Sequence, residues 1–456
     1  MNEAERSRAS AGAWLTPAAT GPVQARLRLP GSKSITNRAL VLAALADAGT
    51  TITGPLRARD TELMAGALRA LGAVIDEVPG GWAVTPGQMD HGAQITVGNA
   101  GTVIRFVPPV AVLATGDVTF RGDPEAARRP VGPLLAALAA LGAGIDDGGR
   151  GAVPFTVRGT GGLPGGRVTL DASGSSQLVS GLLLSGCRYD KGLEIRHQGP
   201  PVPSAPHIAM TAGMLRAAGV DVEEQVTGSG TAGGTGAAGG SGAAGGPRPD
   251  AWRVHPGPLR PGTIEVEPDL VNSAPFLAAA LITGGTVTIA GWPERTTQPG
   301  EHIVALLSAM GGDCALGPDG LTVTGPGAVR GITASLRDCG EVAPVFTAAA
   351  ALASSPSVLT GIGHMRRHET DRLAALCTEL NALGGDVREL PDGLEIRPRP
   401  LRAAGVFGSY HDHRMVMTAA VLGLAVPGVQ VANAATVAKT FPEFTRLWSE
   451  MLGDQT

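Results

Sequence analysis

The sequence predicts an α/β protein of two domains, each assembled from three repeated units. Three observations carry this: the chain length, a phrase that recurs six times, and a composition rich in glycine and poor in aromatics. At 456 residues the chain exceeds what one hydrophobic core usually organises, so two domains are expected. The phrase is a helix that ends in a small turn and passes into a strand. It reads LRALGAVID (68–76), LAALGAGID (138–146), LRAAGVDVE (215–223), LSAMGGDCA (307–315) and LNALGGDVR (380–388), with a worn copy, SEMLGD, at 449–454. The marker glycines Gly72, Gly142, Gly219, Gly311, Gly384 and Gly453 are spaced by 70, 77, 92, 73 and 69 residues. Each is expected just past a helix C-terminus, where positive φ is required.

The long interval contains residues 228–246, which are 19 Gly, Ala, Ser and Thr; without them the spacing is 73. Such a segment cannot bury enough surface to offset its ordering entropy, and it reads as a flexible insertion in a surface loop. Each unit has room for about two helices and three or four strands. Strand-like stretches at 264–267, 286–289 and 393–397 fall between the helical ones. With 67 Gly against 8 Phe, 5 Trp and 2 Tyr, the core is expected to be Ala, Val and Leu, joined by many tight turns.

Charge and patterning exclude several classes. Net charge is −4, which argues against a nucleic-acid footprint. No run of about 18 uncharged apolar residues predicts a membrane span. Residues 1–22 lack an apolar segment and read as a disordered tail, not a secretion signal. Cys187, Cys314, Cys339 and Cys377 have neither metal-like nor redox-like spacing, so a reduced, cytoplasmic protein with inert thiols is expected. Of 36 basic residues only Lys33, Lys191 and Lys439 are lysines. A lysine kept where arginine is the rule hints at a need for a compact ammonium; Lys191, in a turn-like Tyr-Asp-Lys-Gly, is read as chance.

Seven segments carry polar groups where chemistry could be done. In 29–46 (LPGSKSITNRALVLAALA), Lys33, Ser34 and Arg38 gather at the start of a long apolar helix running from about Thr36. Free N–H groups and the helix dipole favour an anion there. A Walker loop does not fit, because Ser32 separates Gly31 from Lys33. In 97–106, Gly101 permits close approach of backbone to a ligand, and Arg105 lies one turn inside the following helix. In 122–132, Arg128 and Arg129 precede Pro130, which holds the chain extended. In 170–184, Ser175, Ser176 and Gln177 offer neutral donors at a helix start, fit for a phosphate or hydroxyls, or for plain capping.

The segment 364–373 packs His364, Arg366, Arg367, His368, Glu369, Asp371 and Arg372 before an apolar helix. A zinc site using His364, His368 and the 411–413 HDH is one reading, but HExxH is absent. In 409–417 Asp412, His413 and Arg414 open a further helix, and in 435–444 Lys439 precedes a Pro-broken turn. Cations thus gather at helix starts and turns of an acidic chain, which points to small, highly anionic ligands.

In this order the phrases GSKSxxNR, NAGT, RRP, SSQ, HETDR, DHR and AKT–P resemble the 3-phosphoshikimate 1-carboxyvinyltransferase (EPSP synthase) family, from about residue 22 to the C-terminus apart from the insertion. His364 and His368 with Glu341 look like its actinobacterial branch. The resemblance implies a two-domain inside-out α/β barrel of six units, three per domain. The expected division is 23–31 plus 267–456 as one domain and 32–266 as the other.

It implies transfer of the enolpyruvyl group of phosphoenolpyruvate to the 5-hydroxyl of shikimate 3-phosphate, in aromatic amino acid (chorismate) biosynthesis. It implies a monomer with no metal or organic cofactor and no nucleic-acid or membrane partner, and sensitivity to glyphosate. Lys33, Ser34, Arg38, Ser175, Ser176, Gln177, Ser204, Glu341, His364 and His368 would hold shikimate 3-phosphate. Lys33, Gly101, Arg129, Gln177, Arg372, Arg414 and Lys439 would hold phosphoenolpyruvate. Glu341, Glu369 and Lys33 would be catalytic: Glu341 as base toward the 5-hydroxyl, Glu369 as acid–base group at C3. Closure of the domains over shikimate 3-phosphate would exclude water. His368 stands where the family often has Lys, and His364 where Asn is common. The related transferase acting on UDP-N-acetylglucosamine usually carries a reactive Cys in a loop, and 122–132 has none. A non-catalytic anion-binding protein on this fold would not need Glu341, Glu369 and Lys439 together.

Overall fold

In the computed structural model, which describes residues 12–228 and 248–453, one motif is built six times. Its plainest copy runs strand Ala93–Gly98, helix Gly101–Ala111, strand Asp117–Gly122, helix Gly132–Ala140, and the strand pair Gly144–Asp146 and Phe155–Arg158. The first two strands are parallel, joined by their helix as a parallel crossover requires, and the last two are antiparallel. Four further sheets repeat this order.

Among the described residues there are twelve α-helices, two per repeat. The first of each pair is buried on all sides. Every residue of Gly101–Ala111 is buried, as is every residue from Ile35 to the end of Lys33–Ala44. A helix apolar all round belongs in an interior, and these helices pack against one another in threes, with three sheets around each trio. That is the inside-out barrel expected. Pro108 and Pro109 lie within Gly101–Ala111. Pro109 leaves the Arg105 carbonyl without its helical donor. Gly181 of the neighbouring helix Gln177–Gly186 sits against that carbonyl, where a Cβ would come within 2.2 Å.

The chain divides into two compact units, Met1–Pro30 with Glu267–Thr456, and Gly31–Val266, each with its own hydrophobic core. The division falls where strands are left behind. Gln24–Leu27 precedes helix Lys33–Ala44 but pairs with Thr286–Ala290 of its own unit. Thr263–Glu265 precedes helix Leu270–Thr283 but pairs with Thr50–Thr53.

The marker glycines all follow helix ends with positive φ: 103° at Gly72, 103° at Gly142, 90° at Gly219, 106° at Gly311, 94° at Gly384 and 83° at Gly453. The insertion 228–246 lies outside the described residues except for Gly228. The disordered tail expected for 1–22 is corrected from residue 12 onward. Trp14–Leu15 forms a strand against Gln430–Val431, which itself pairs with Val406–Phe407, so the N-terminal segment completes the sixth sheet. The Thr16 hydroxyl donates to the Val429 carbonyl (2.9 Å), and the Trp14 ring stands edge-on to Phe444 at 6.4 Å. One aromatic and two paired residues suffice here because the strand Gln430–Val431 offers a free edge.

No helix among the described residues is long and apolar enough to cross a membrane. Burial pushes the Cys187 thiol up to about 11, which suits an inert cysteine.

Candidate active site

In the Gly31–Val266 unit the polar groups sit at the starts of the buried helices. Helix Lys33–Ala44 begins three residues before the expected Thr36, because the Ser32 hydroxyl accepts from Ile35 N at 3.5 Å and caps it. Lys33 therefore occupies the first turn. Its Nζ lies 3.7 Å from Asp60 Oδ2, and Asp60 is buried at the start of helix Arg59–Ala70. Arg38, one turn on, is 1% exposed. Its Nε donates to Thr211 Oγ1 (2.7 Å), Nη1 to the Ser34 carbonyl (2.9 Å), and Nη2 to Ser180 Oγ (3.2 Å) and the His207 carbonyl (3.0 Å). The guanidinium also lies over the Phe106 ring at 5.1 Å. Arg38 thus ties its own helix to helices Gln177–Gly186 and Pro206–Ala217 behind Ser34.

Gly101 is where two arginines converge. A Cβ there would come within 2.5 Å of Arg129 Nη2 and 3.0 Å of Arg105 Nη1, so any side chain would push the Arg129 guanidinium aside. Arg129 Nη1 donates to the Asn99 carbonyl (2.9 Å). Arg105 Nη1 donates to Gln177 Oε1 (2.9 Å) and Nη2 to the Pro130 carbonyl (3.2 Å). The phrases NAGT, RRP and SSQ, far apart in sequence, therefore meet. Ser175 Oγ accepts from Gln177 N (3.2 Å), capping the helix that Ser176 precedes. His197 joins the loop before these serines to the loop before Ser204. Its Nδ1 accepts from Ala172 N (3.1 Å), and its Nε2 lies 2.8 Å from the Pro200 carbonyl. Ser204 has φ +52°, an uncommon conformation for serine of the kind that functional loops retain.

In the other unit the centre is Arg372, the first residue of helix Arg372–Ala382, capped by Asp371. Its Nε and Nη2 donate to the two carboxylate oxygens of Asp412 (2.7 and 3.1 Å), and Nη2 also to Glu369 Oε2 (2.7 Å). Burial works against this cation, but Asp412 and Glu369 outweigh it and hold the guanidinium more firmly protonated than usual. Lys439 Nζ lies 3.6 Å from Glu369 Oε1, and both side chains are almost fully buried.

Asp412 also caps helix His413–Ala425, accepting from Arg414 N at 2.9 Å. Burial lowers the pKa of Arg414, with Asp269 acting in the opposite sense. The His364 and His368 rings meet edge to face at 5.4 Å, and His368 Nδ1 lies 3.3 Å from Arg372 Nη1. Burial lowers the pKa of His364, with nearby Glu341 as the main counterweight. A Cβ on Gly340 would touch the His364 ring at 3.1 Å, which places Glu341's turn directly beside it.

The predicted site residues thus lie in one or other of these groups, and among the described residues His364, His368, His411 and His413 form no metal-holding cluster. The sequence missed Asp60 as the partner of Lys33, Thr211 and Ser180 as partners of Arg38, and Asn99 as partner of Arg129. Asp60 could be suspected as an acid at a helix start; the others bear no local signal.

Comparison with known proteins identifies the family. The family model for EPSP synthase (3-phosphoshikimate 1-carboxyvinyltransferase) matches residues 17–240 and 243–448. A 3-phosphoshikimate 1-carboxyvinyltransferase of Kocuria rhizophila is 49% identical, with 97% of each chain covered. Two solved structures of EPSP synthase from Acinetobacter baumannii superpose with a TM-score of 0.73 at 26% and 25% identity, covering 96% of this chain and 97% of theirs. By motif, by fold and by identity over nearly its whole length, the chain belongs to the EPSP synthase family.

Proposed function

We propose that this chain transfers the enolpyruvyl group of phosphoenolpyruvate to the 5-hydroxyl of shikimate 3-phosphate, releasing phosphate. The observation that carries the reading is the Arg372–Glu369–Lys439 group: a buried carboxylate bracketed by two cations at 2.7 and 3.6 Å. A scaffold that merely collected anions would gain nothing from a buried carboxylate there, whereas proton transfer at C3 can use one. Arg129 beside Gly101, and Arg372, Arg414 and Lys439, are the cations we assign to phosphoenolpyruvate. Lys33, Ser34, Ser175, Ser176, Gln177 and Ser204 are assigned to shikimate 3-phosphate, with Arg38 beneath Ser34 and with Glu341, His364 and His368 toward the ring. Gln177 and Lys33 also serve phosphoenolpyruvate.

The chemistry is addition followed by elimination. The 5-hydroxyl oxygen bonds to C2 as its proton leaves to the Glu341 carboxylate and C3 gains a proton from Glu369, which enters this step as the carboxylic acid. The tetrahedral intermediate then expels phosphate while Glu369 takes a proton back from C3, and the proton on Glu341 passes to the released phosphate. Fixed cations stabilise the phosphate and carboxylate charges without reorganising.

The test is proton NMR of the enzyme with both substrates, where two vinyl protons of a new enol ether are expected. Their absence while UDP-N-acetylglucosamine is turned over would reassign the acceptor. Glu341→Gln and Glu369→Gln should each lower kcat by about a hundredfold or more; near-normal kcat in both would remove the acid–base roles. Glyphosate at millimolar concentration should inhibit, since Gly101 and Thr102 leave the turn beside Arg129 without bulk.

A further inference from the structure

The loops that deliver Asp412, Arg414 and Lys439 are held by a device that lies one layer behind them. Ser409–Asp412 is a tight turn closed by Asp412 N donating to the Ser409 carbonyl (2.8 Å). Its two central residues, Tyr410 (φ +53°) and His411 (φ +55°), are both left-handed and neither is glycine. Such a pair persists only where the surroundings over-determine it. Here they do. Glu379, 6% exposed and two turns along the helix that begins with Arg372, grips the turn twice. Its Oε1 accepts from the Tyr410 hydroxyl (2.6 Å) and its Oε2 from Gly408 N (2.9 Å). Gly408 is shaped to this grip, because a Cβ would come within 2.8 Å of both Glu379 Oε1 and the Tyr410 ring.

On the other side, His411 Nδ1 lies 3.3 Å from Asn433 Nδ2. Asn433 is itself left-handed (φ +50°) and precedes the 3-10 turn Ala434–Lys439. Three strained, non-glycine residues are therefore linked in one chain of contacts that ends at the cations.

We propose that Glu379, Tyr410 and the His411–Asn433 contact are positioning residues: they fix where Asp412, Arg414 and Lys439 stand, and so set the affinity for phosphoenolpyruvate. This rests on the assignment of those cations to phosphoenolpyruvate. The turns are held by groups outside those assigned to either substrate, so loosening them shifts the cations without removing any of them. A displacement of about 1 Å at a charged contact is enough to lose one to two orders of magnitude in binding or rate.

Steady-state kinetics of four variants test this in the full chain. Tyr410→Phe deletes one bond to Glu379. His411→Gly and Asn433→Gly delete the side-chain contact and leave a backbone that takes left- and right-handed φ alike, so they loosen the two turns. Arg372→Lys reports on the underlying assignment. Tyr410→Phe and both glycine variants should raise KM for phosphoenolpyruvate about tenfold. KM for shikimate 3-phosphate should stay within twofold and the melting temperature near wild type. A purely structural role predicts the reverse for the glycine variants: unchanged KM with altered melting. If Arg372→Lys raises KM for phosphoenolpyruvate and the other three do not, the positioning proposal is overturned. If Arg372→Lys also leaves it unchanged, the assignment of the cations falls first and the proposal with it.

Discussion

At Gly101 a single methyl group would sit 2.5 Å from Arg129 Nη2 and 3.0 Å from Arg105 Nη1. The residue is thus fixed by two guanidinium groups, not by its backbone, since its φ is not left-handed. Gly101→Ala should displace Arg129 and raise KM for phosphoenolpyruvate about tenfold or more while the fold holds; an unchanged KM would detach Arg129 from that substrate. His364 gives a prediction in pH. Burial lowers its pKa below the ordinary 6.5, so the folded protein resists the proton that the unfolded chain accepts. Stability must then fall as pH drops through 6.5, and level off once the folded state also protonates. His364→Asn removes that loss. Denaturant midpoints measured from pH 7.5 to 5 should fall less steeply in the variant, and parallel curves would contradict the cause assigned here. These residue identities were legible in sequence because the motifs spell them. Their partners were not: Thr211 is 173 positions from Arg38, and only the packed helices bring them together.

Among the elements, the repeat was readable because its cause is local. A helix that stops at a left-handed residue needs glycine there, whatever the rest of the chain does. The N-terminal strand was not readable, because its cause is distant. Trp14 and Leu15 alone form no periodic pattern, and what orders them is the free edge of Gln430–Val431, more than 400 residues away. Trp14→Ala should therefore destabilise the unit that contains it. For a half-buried tryptophan the loss is about 2 kcal/mol, a fall of about 5 °C in melting temperature. No change would mean that the strand pairs without that ring. The start of helix Lys33–Ala44 was misjudged for a related reason. Ser32 was read only as what separates Gly31 from Lys33, and its hydrogen bond with Ile35 N sets the earlier start.

For the whole molecule, the six sheets, the two cores and the seven motifs agree on one family, although no one of them would suffice. Each compact unit carries its own group of polar residues: the half-buried Lys33 with Asp60, and Arg129 beside Gly101, in one, and Arg372 with Glu369 and Lys439 in the other. The proposed reaction has two highly anionic substrates, and it makes phosphate from one only when the other accepts the enolpyruvyl group. The most direct measurement is release of phosphate from phosphoenolpyruvate, with and without shikimate 3-phosphate, in chelator-treated buffer. Release that requires shikimate 3-phosphate and proceeds without added metal is the result predicted. Release that is independent of shikimate 3-phosphate, or that appears only with UDP-N-acetylglucosamine, would contradict the account.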